Sequence, residues 1–586
     1  MRADASFAVP VKLWALLCVF AGVTIGGNVL LTCILTGGAL LYLVLQRSFR
    51  LAASYGCFYL LLALLLSGCT RTPDSEQPQP TETETTETPS ETEQTSEPLA
   101  SKEDGSFGLS YLPEYGLNPY LCLATVNRAA FSLLYESLFV VSGDFRAVPQ
   151  LCRSFRVSED GTTYYFTLVS GVTFSDGTLL TAQDVVASIQ AARNSGIYKA
   201  RLSHIYDIYA DESGTVVVQL DTPYENFAPM LDVPVVKAAS VEEGTPVGSG
   251  PYYLKGNALV RNPKWVETIP LCVDADAIPL TPAETPNDLR DAFEFGETDL
   301  VYCDPNSVAA GGYRCDYEAW EAPTTVMHYL GFNLYSGYFV NDTLRTAVTY
   351  AIDRNALSNE VYKGFAQPSV LPCNPLSDYY DEQLAKDYDY APARFAEAVS
   401  NSKVTVSDDY LGHVGILLVC SDDPKRVAAA ERIAETLKSA GLSITVNAVD
   451  REQYLKNLDD GDFDLYYGET RLTPNFDLTE FFTKYGNLQY GSINSTGLAA
   501  LCTSALKNSG SFYELCGQLL QSAPICPVVF KSNAIFVTRG MLTDITPGVD
   551  FVFLQTEGAR TLSDADITYS PSEETPTEDT TAEPVG

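Results

Sequence analysis

Hydrophobic and polar positions repeat with strand-like and helix-like periods through residues 105–565. Residues 414–419 are a short continuous apolar run, which predicts a buried strand. Asp423 and Pro424 then supply an N-cap and a first-turn proline for a helix. The apolar face of that helix is predicted to contain Val427, Ala430, Ala434 and Leu437. Because 444–449 predicts a second strand, the segment is a predicted βαβ unit whose two strands are parallel.

Other segments have an antiparallel pattern. Residues 164–168 predict a strand, and an Asp-Gly turn follows at 176–177. Thr181 and Asp184 then form a predicted capping box ahead of an apolar helical stripe. A second capped helix is predicted to start at Asp342. Helices and strands that alternate in this way predict an α/β fold with a mixed sheet.

The N-terminal region carries the signals of an exported, membrane-attached protein. Residues 13–45 contain no charged side chain and exceed the roughly 20 apolar residues that span a bilayer, so they predict a membrane segment. Residues 47–69 combine two arginines, an apolar run and small residues, as in a secretory signal. Their Leu-Ser-Gly-Cys ending resembles the lipobox of bacterial lipoproteins, in which the cysteine receives a diacylglyceryl group. We expect Cys69 to be a lipid anchor; the alternative is that it ends a second transmembrane helix.

Residues 1–46 fit awkwardly in front of a lipoprotein signal. They are either a hydrophobic membrane segment or an upstream extension that is not translated. The second interpretation assumes that translation starts near Val44 or Leu45. The product would then begin with a normal basic n-region, Gln-Arg-Ser-Phe-Arg, before the apolar run.

Two Thr-, Glu- and Pro-rich segments flank the region predicted to fold. Residues 70–104 are predicted to be a disordered linker and residues 566–586 a disordered acidic tail, since neither can bury enough apolar surface to offset chain entropy. Across the whole chain, 37 Lys and Arg oppose 74 Asp and Glu, for a net charge of −37. Nucleic acid is therefore excluded as the main partner, because its phosphates require a basic surface.

Cysteine and histidine positions argue against a disulfide framework or a metal site. Ten cysteines follow Cys69 at irregular spacings without a C-x-x-C pair, and the chain has three histidines. The lone His328, on a predicted apolar strand, is expected to be structural. No Gly-x-Ser-x-Gly elbow with a suitable histidine is present, so we expect neither catalysis nor a cofactor.

A series of short motifs then occurs in a fixed order over nearly the whole of 105–565. The two longest motifs span Gly171–Thr178 and Pro246–Tyr252. Shorter members are Leu117-Asn118-Pro119, Tyr135-Glu136-Ser137-Leu138, Gly296-Glu297-Thr298-Asp299-Leu300, Gly331-Phe332-Asn333 and Ala351-Ile352-Asp353-Arg354. In this order they resemble the bacterial extracellular solute-binding proteins of family 5, the oligopeptide, dipeptide and nickel-chelate receptors of ABC importers.

The resemblance implies a periplasmic-binding-protein-like type II α/β fold with two hinged lobes and a small insert domain. By this resemblance, the insert domain II is expected over 147–237 and lobe III over 323–529. The discontinuous lobe I is expected to comprise 105–146, 238–322 and 530–565. A ligand would be enclosed at the boundary of lobes I and III by hinge closure.

In similar proteins the ligand is held by the segment after the first strand, by the strand after the Gly-Glu-x-Asp string, and by a loop late in lobe III. The ligand-binding residues that this implies are Tyr111, Leu112, Tyr302, Asn333, Glu469, Arg471, Asn475 and Asp477. One carboxylate could hold a peptide ammonium and Arg471 a peptide carboxylate. The alternatives are a Glu469–Arg471 ion pair on a strand face, or an Asp477 that caps the following helix.

The leading functional hypothesis is a monomeric, lipid-anchored receptor on the extracytoplasmic face of the cell membrane. It would capture peptides by lobe closure and deliver them to the permease subunits of an ABC importer. Two alternatives remain open: a receptor for another solute, such as an oligosaccharide or a metal chelate, and a surface sensor or interaction lipoprotein without a transport role.

Overall fold

The computed structural model describes residues 106–404, 412–542, 545–555, 559–560 and 566–570. The predicted membrane segment, the signal sequence with Cys69 and the linker 70–104 lie outside the described residues. Among the helices that the structure describes, none has the length and hydropathy needed to cross a bilayer.

The described chain contains twenty β-strands. They are β1 (Leu109–Tyr111), β2 (Glu136–Ser137), β3 (Phe139–Val141), β4 (Ala147–Pro149), β5 (Cys152–Ser158), β6 (Thr163–Leu168), β7 (Ile205–Ala210), β8 (Val216–Leu220), β9 (Pro234–Val235), β10 (Tyr252–Lys255), β11 (Ala258–Arg261), β12 (Ala277–Pro282), β13 (Leu300–Cys303), β14 (Tyr317–Phe332), β15 (Ala366–Pro368), β16 (Gly415–Cys420), β17 (Ile444–Val449), β18 (Leu465–Arg471), β19 (Ile525–Thr538) and β20 (Ile567–Ser570).

The helices lie between and around these strands. They are α1 (Arg128–Leu134), α2 (Ala182–Asn194), α3 (Pro286–Glu294), α4 (Asp342–Ala347), α5 (Arg354–Ala356), α6 (Glu382–Asp387), α7 (Pro392–Ser402), α8 (Pro424–Ser439), α9 (Arg451–Asp460), α10 (Thr479–Phe482), α11 (Thr496–Lys507) and α12 (Ser511–Ser522).

The main sheet has the strand order β10-β11-β12-β1-β13-β19-β14-β18-β16-β17, with β15 paired to β19. Its two long strands, β14 and β19, are antiparallel to each other. Strand β13 pairs with the C-terminal part of β19, and β18 pairs with the C-terminal part of β14. The β14–β19 register shifts between Pro323 and Val326, the point at which the neighbouring strands change. These two strands therefore join two halves of one sheet.

Both faces of the β16–β18 half are buried. In β16, Leu418 packs into one apolar cluster and Leu417 into another, and the same alternation separates Tyr466 from Tyr467 in β18. A strand covered on both faces is expected to be continuously apolar. This explains why the 414–419 run shows no alternation between apolar and polar residues.

The predicted βαβ unit is confirmed. Strands β16 and β17 pair in parallel, and α8 connects them. The Asp423 side chain accepts hydrogen bonds from the backbone N–H groups of Lys425 and Arg426, with Pro424 in the first turn. The cap satisfies donors that have no partner inside the helix, so the local sequence is sufficient to start α8 at this residue.

Two further helix starts agree with the sequence. Thr181 and Asp184 form the predicted capping box of α2, in which Asp184 Oδ2 accepts from the Thr181 N–H at 2.9 Å. Helix α4 begins at Asp342 as predicted, but its capping side chain belongs to Asn341, whose Oδ1 accepts from the Leu344 N–H at 3.0 Å.

A second sheet, in the order β20-β5-β6-β8-β7, lies mostly within residues 152–220. Its edge strand β20 pairs in parallel with β5. The sequence assigns residues 567–570 to the disordered tail, and the structure corrects this boundary. The free edge of β5 offers backbone hydrogen bonds, such as the 2.9 Å bond from the Phe155 N–H to the Asp566 carbonyl, which composition alone does not reveal.

Gly250 lies where β10 approaches the end of α1, and its own N–H donates to the Leu134 carbonyl at 3.1 Å. A Cβ added there would lie 2.5 Å from the Leu133 carbonyl oxygen. We expect Gly250→Ala to push these backbones apart and to lower the free energy of unfolding by about 1–3 kcal/mol in denaturant titrations. Gly196→Ala is the matched control, because nothing lies within 4 Å of its added Cβ. Equal losses for the two variants would contradict the packing argument.

Candidate functional site

Charged and polar side chains from distant parts of the chain meet where β13, β14, β18 and β19 come together. We call this set the junction cluster, and its members are Arg128, Tyr302, Asp304, His328, Glu469, Arg471, Lys531, Asn533 and Asp550. Hydrogen bonds and ion pairs connect it in two branches. Because the strands that carry it belong to both halves of the main sheet, the cluster lies at the boundary between them.

The first branch contains alternating charges. Lys531 Nζ lies 2.6 Å from Asp304 Oδ2 and 4.0 Å from Glu469 Oε2. Glu469 Oε2 also lies 2.8 Å from Nε2 of His328. Burial opposes ionisation of Glu469, but the hydrogen bond from His328 and the charges of Lys531 and Arg426 outweigh it and lower the pKa. Glu469 is therefore an ionised carboxylate with partners inside the protein.

His328 is fully buried, and both of its ring nitrogens have partners. Its Nδ1 lies 2.8 Å from the Tyr362 hydroxyl, which in turn lies 3.0 Å from the Tyr467 hydroxyl. The described residues contain no group of three or more histidine, cysteine, aspartate and glutamate side chains placed to hold a metal ion. These contacts place His328 within the packing of β14 and β18.

The second branch surrounds Asp550. Its Oδ1 lies 2.5 Å from Nη1 of Arg128, and its Oδ2 lies 3.7 Å from Nη1 of Arg471. Burial opposes ionisation of Asp550, but the charges of Arg128, Arg471 and Arg201 lower its pKa. The Asp550 carboxylate is the shared counter-ion of guanidinium groups from separate parts of the chain.

A second acid lies beside this branch. Asp232 Oδ2 is 3.9 Å from Nη1 of Arg201. Burial raises the pKa of Asp232 to about 7, although the charge of Arg201 works in the opposite direction. We call Arg128, Arg201, Arg471, Asp232 and Asp550 the arginine cluster. A cavity of about 40 Å³ lies against four of its members.

Two direct contacts connect the loop after β13 with the start of α8. Asn306 Nδ2 donates to Asp423 Oδ2 at 2.8 Å, and Lys425 Nζ donates to the Pro305 carbonyl at 3.0 Å. Asp423 thus caps its own helix and also contacts the other half of the main sheet.

Three of the eight sequence-predicted ligand residues, Tyr302, Glu469 and Arg471, lie in the junction cluster. Tyr302 is buried, and its hydroxyl accepts from Asn533 Nδ2 at 2.8 Å. The described contacts pair Glu469 with His328 and Arg471 with Asp550 instead of with each other. The two side chains share one face of β18, since they are two residues apart in a strand.

Three others lie at different places. Tyr111 is partly buried at the end of β1, and Leu112 is buried with its N–H bonded to Asn127 Oδ1 at 2.8 Å. Asn333 follows β14, and its Nδ2 donates to the Gly461 and Phe463 carbonyls at 3.1 Å each. Its side-chain bonds thus join the end of β14 to the segment before β18.

The last two lie beside the 147–237 segment. Asp477 Oδ1 accepts from the Thr479 N–H at 2.9 Å, and its Oδ2 lies 3.9 Å from Nε2 of His204. Asn475 Oδ1 accepts from the Thr473 hydroxyl at 2.6 Å. Both side chains therefore have partners within their own loop.

The sequence analysis missed Arg128, Lys531 and Asp550. They are separated by hundreds of positions and form no motif, so no local spacing could have identified them. A larger cleft, of about 920 Å³, lies elsewhere between β5, the loop after β8 and the start of α12.

The ion pair of Asp550 with Arg128 is predicted to stabilise the fold. Asparagine tolerates the left-handed backbone of this position (φ 60°), so Asp550→Asn removes the charge with little backbone change. We expect a loss of about 3 kcal/mol at pH 7, because Arg128, whose side chain is 18% exposed, remains largely buried without its counter-ion. Because the pKa of Asp550 is lowered in the folded state, its contribution is fully present above the unfolded-state pKa of about 3.9 and declines progressively as pH falls from there towards the folded-state pKa. Chemical denaturation between pH 3 and pH 7 measures both effects.

Asp316→Asn is the control for this variant. It removes an aspartate from an exposed pair with Arg539, at 2.8 Å, whose side chains are 55% and 75% exposed. The expected loss is much smaller than that of Asp550→Asn, because solvent screens the exposed pair. A loss for Asp550→Asn no larger than this control would show that the buried pair adds no stability.

Comparisons with known proteins agree on the fold. Glutathione-binding protein GsiB of Salmonella typhi is 28% identical over 298 residues, which cover 47% of this chain and 58% of GsiB. The match thus spans less than two thirds of that relative. The substrate-binding protein CtaP of Listeria monocytogenes superposes with a TM-score of 0.61 at 19% identity, over 76% of this chain and 97% of CtaP. The periplasmic murein tripeptide binding protein MppA, in its unliganded open form, superposes with a TM-score of 0.60 at 16% identity. The superposition covers 76% of this chain and 97% of MppA.

The structural neighbours are type II periplasmic binding proteins, so the expected fold class is confirmed. The family model for the middle region of the bacterial extracellular solute-binding proteins, family 5, matches residues 146–489, more than half of the chain. The expected family is confirmed as well: this chain belongs to the family 5 bacterial extracellular solute-binding proteins.

Proposed function

We propose that this protein captures a short peptide at the junction cluster by closure of two lobes and delivers it to the permease of an ABC importer. The observation that supports this most is the meeting of charged side chains from both halves of the main sheet at one place. A solute enclosed there would contact both halves at once, and its binding energy would favour the closed arrangement.

The hinge is proposed to lie in β14 and β19. These strands run through both halves, and their register shifts between Pro323 and Val326. A local break in strand pairing concentrates bending at that place. The proposed lobe boundaries at residues 322/323 and 529/530 lie close to this shift on both strands.

A short peptide is the substrate class that the names of two relatives support, whereas other structural neighbours are named for nickel or iron chelates. One relative is named for glutathione and one structural neighbour for a murein tripeptide. We extend this substrate class to the present chain because the junction cluster offers groups of both charges, as the termini of a peptide require. The protein is proposed to act as a monomer.

The anchor is proposed to be a diacylglyceryl group on Cys69, at the end of the Leu-Ser-Gly-Cys sequence. This attachment would hold the receptor at the extracytoplasmic face of the cell membrane, beside the permease.

Peptide capture is tested by a thermal-shift screen of the purified protein with glutathione, di- to hexapeptides, oligosaccharides and nickel chelates. At least one peptide is expected to raise the Tm, because a ligand at 100 times its Kd adds about 2.7 kcal/mol of stability. Small-angle scattering with that peptide is expected to show a lower radius of gyration, as lobe closure requires. A shift with oligosaccharides or chelates alone would replace the peptide by that solute. No shift with any compound would contradict the receptor function and favour a sensor.

Anchoring is tested by feeding expressing bacteria an alkyne-labelled fatty acid and detecting the label on the protein. The wild-type chain is expected to carry label and the Cys69→Ser variant none. Cys57→Ser, which changes a cysteine within the apolar run, is the control and is expected to keep the label. Label on Cys69→Ser, or its absence from the wild type, would contradict the lipoprotein proposal.

A further inference from the structure

We infer that the 147–237 segment positions the loop 472–478 beside the junction cluster through His204, whose charged ring pairs with Asp477, so that solute capture depends on pH. This inference rests on the proposed function and adds to it a role for the 147–237 segment. His204 acts through the loop and not on the ligand, so it is a positioning residue.

The loop 472–478 is attached to the proposed site and to the proposed hinge. It begins where β18 ends at Arg471, a member of the junction cluster. Its first residue, Leu472, donates its N–H to the Thr325 carbonyl at 3.0 Å, within the stretch of β14 where the pairing with β19 shifts register. Phe476 has a left-handed backbone (φ 60°), and its side chain is fully buried. A displacement of the loop would therefore move the end of β18.

Asp477 connects this loop to the 147–237 segment. Its Oδ1 accepts hydrogen bonds from the N–H and the hydroxyl of Thr479, at 2.9 and 2.6 Å. Its Oδ2 lies 3.9 Å from Nε2 of His204, and the other ring nitrogen, Nδ1, lies 2.9 Å from Asp221 Oδ1. One oxygen of Asp477 thus holds its own turn, while the other faces the 147–237 segment.

The groups around the His204 ring favour its charged form. The side chain is 22% exposed, so solvent screens its two carboxylate partners only in part. The contact with Asp477 raises the pKa of His204, and the contact with Asp221 adds to this, although burial works in the opposite direction. The Tyr224 hydroxyl and the Cys502 thiol also lie near Asp477. Burial and the charge of Asp477 raise the pKa of both groups, so both are neutral near pH 7.

The attraction between the 147–237 segment and the loop therefore weakens as the pH rises. Because the pKa of His204 is raised in the folded state, its contribution is fully present below the unfolded-state pKa of about 6.5 and is lost as the pH rises through the folded-state value. A neutral imidazole has a single N–H, and Nδ1 is the nitrogen at hydrogen-bond distance from Asp221. Deprotonation thus removes the attraction to Asp477.

Hydrogen–deuterium exchange of the unliganded full protein tests the positioning step. After correction for intrinsic exchange rates, residues 472–482 are expected to be about threefold better protected at pH 6 than at pH 8.5, as suits a partly exposed ion pair. In His204→Gln, and in Asp477→Asn, which keeps an oxygen for Thr479, protection at both pH values is expected to match the wild type at pH 8.5. Equal wild-type protection at the two pH values, or an unchanged pH contrast in His204→Gln, would overturn the inference.

His413→Gln is the matched control. His413 Nε2 lies 2.7 Å from Asp464 Oδ1, and Asp464 directly precedes β18, at the opposite end of the strand from the loop. This variant removes a histidine–aspartate pair of similar geometry and is expected to keep the wild-type pH contrast in 472–482. Loss of the contrast in this control as well would assign it to general stability and contradict the role of His204.

Calorimetry tests whether the loop affects capture, using the peptide that raises the Tm most in the thermal-shift screen. At pH 6 the wild type is expected to bind it about threefold more tightly than His204→Gln, because a larger fraction of the protein has the loop in position. At pH 8.5 the two affinities are expected to be equal; ionisation of the peptide cancels because both proteins are compared at the same pH. Equal affinities at pH 6 would contradict the link to capture. No binding of any peptide would overturn the proposed function and leave the exchange result unaffected.

Discussion

The antiparallel pairing of β14 with β19 is the constraint on which the rest of the structure depends. Each of the two strands also pairs with a second strand: β19 pairs with β13 on one side, and β14 pairs with β18 on the other. The ends of β13 and β18 are thereby brought to the same place, although residues 303 and 471 are far apart in sequence. The proposed binding site depends on this arrangement, because each half of the sheet contributes the end of a strand.

Charge compensation determines what such a boundary can bind. The buried or partly buried ions at the junction are arranged in pairs, since an isolated ion in a low-dielectric place costs several kcal/mol. Lys531 forms ion pairs with two carboxylates, and Asp550 forms ion pairs with two guanidinium groups. Each acid of the junction cluster thus has a cationic or histidine partner within the described part of the chain. The chemistry of the boundary therefore depends on which charges pair with each other, and the composition of the chain does not reveal this.

Local signals predicted the elements well, whereas the predicted ligand residues are still predictions. The helix starts at Asp423-Pro424 and Thr181 are correct, because a cap depends on residues within one helical turn. Asn333 and Asp477 were predicted as ligand residues, and their side chains form hydrogen bonds with backbone groups in the structure. A short sequence motif does not distinguish a polar side chain that faces a ligand from one that satisfies the backbone. The role of each remains a prediction.

The sequence by itself determined the family, the fold class and the main helix and strand starts, because these depend on periodicity, caps and ordered motifs within short stretches of chain. The tertiary structure decided which charges meet. Arg128, Asp550 and Lys531 carry no local signal, and their proximity arises from sheet pairing over long sequence separations. It also decided that residues 567–570 form a strand, since the free edge of β5 is a property of the folded sheet. Contacts between distant residues depend on the whole packed fold, which no short segment of the sequence specifies.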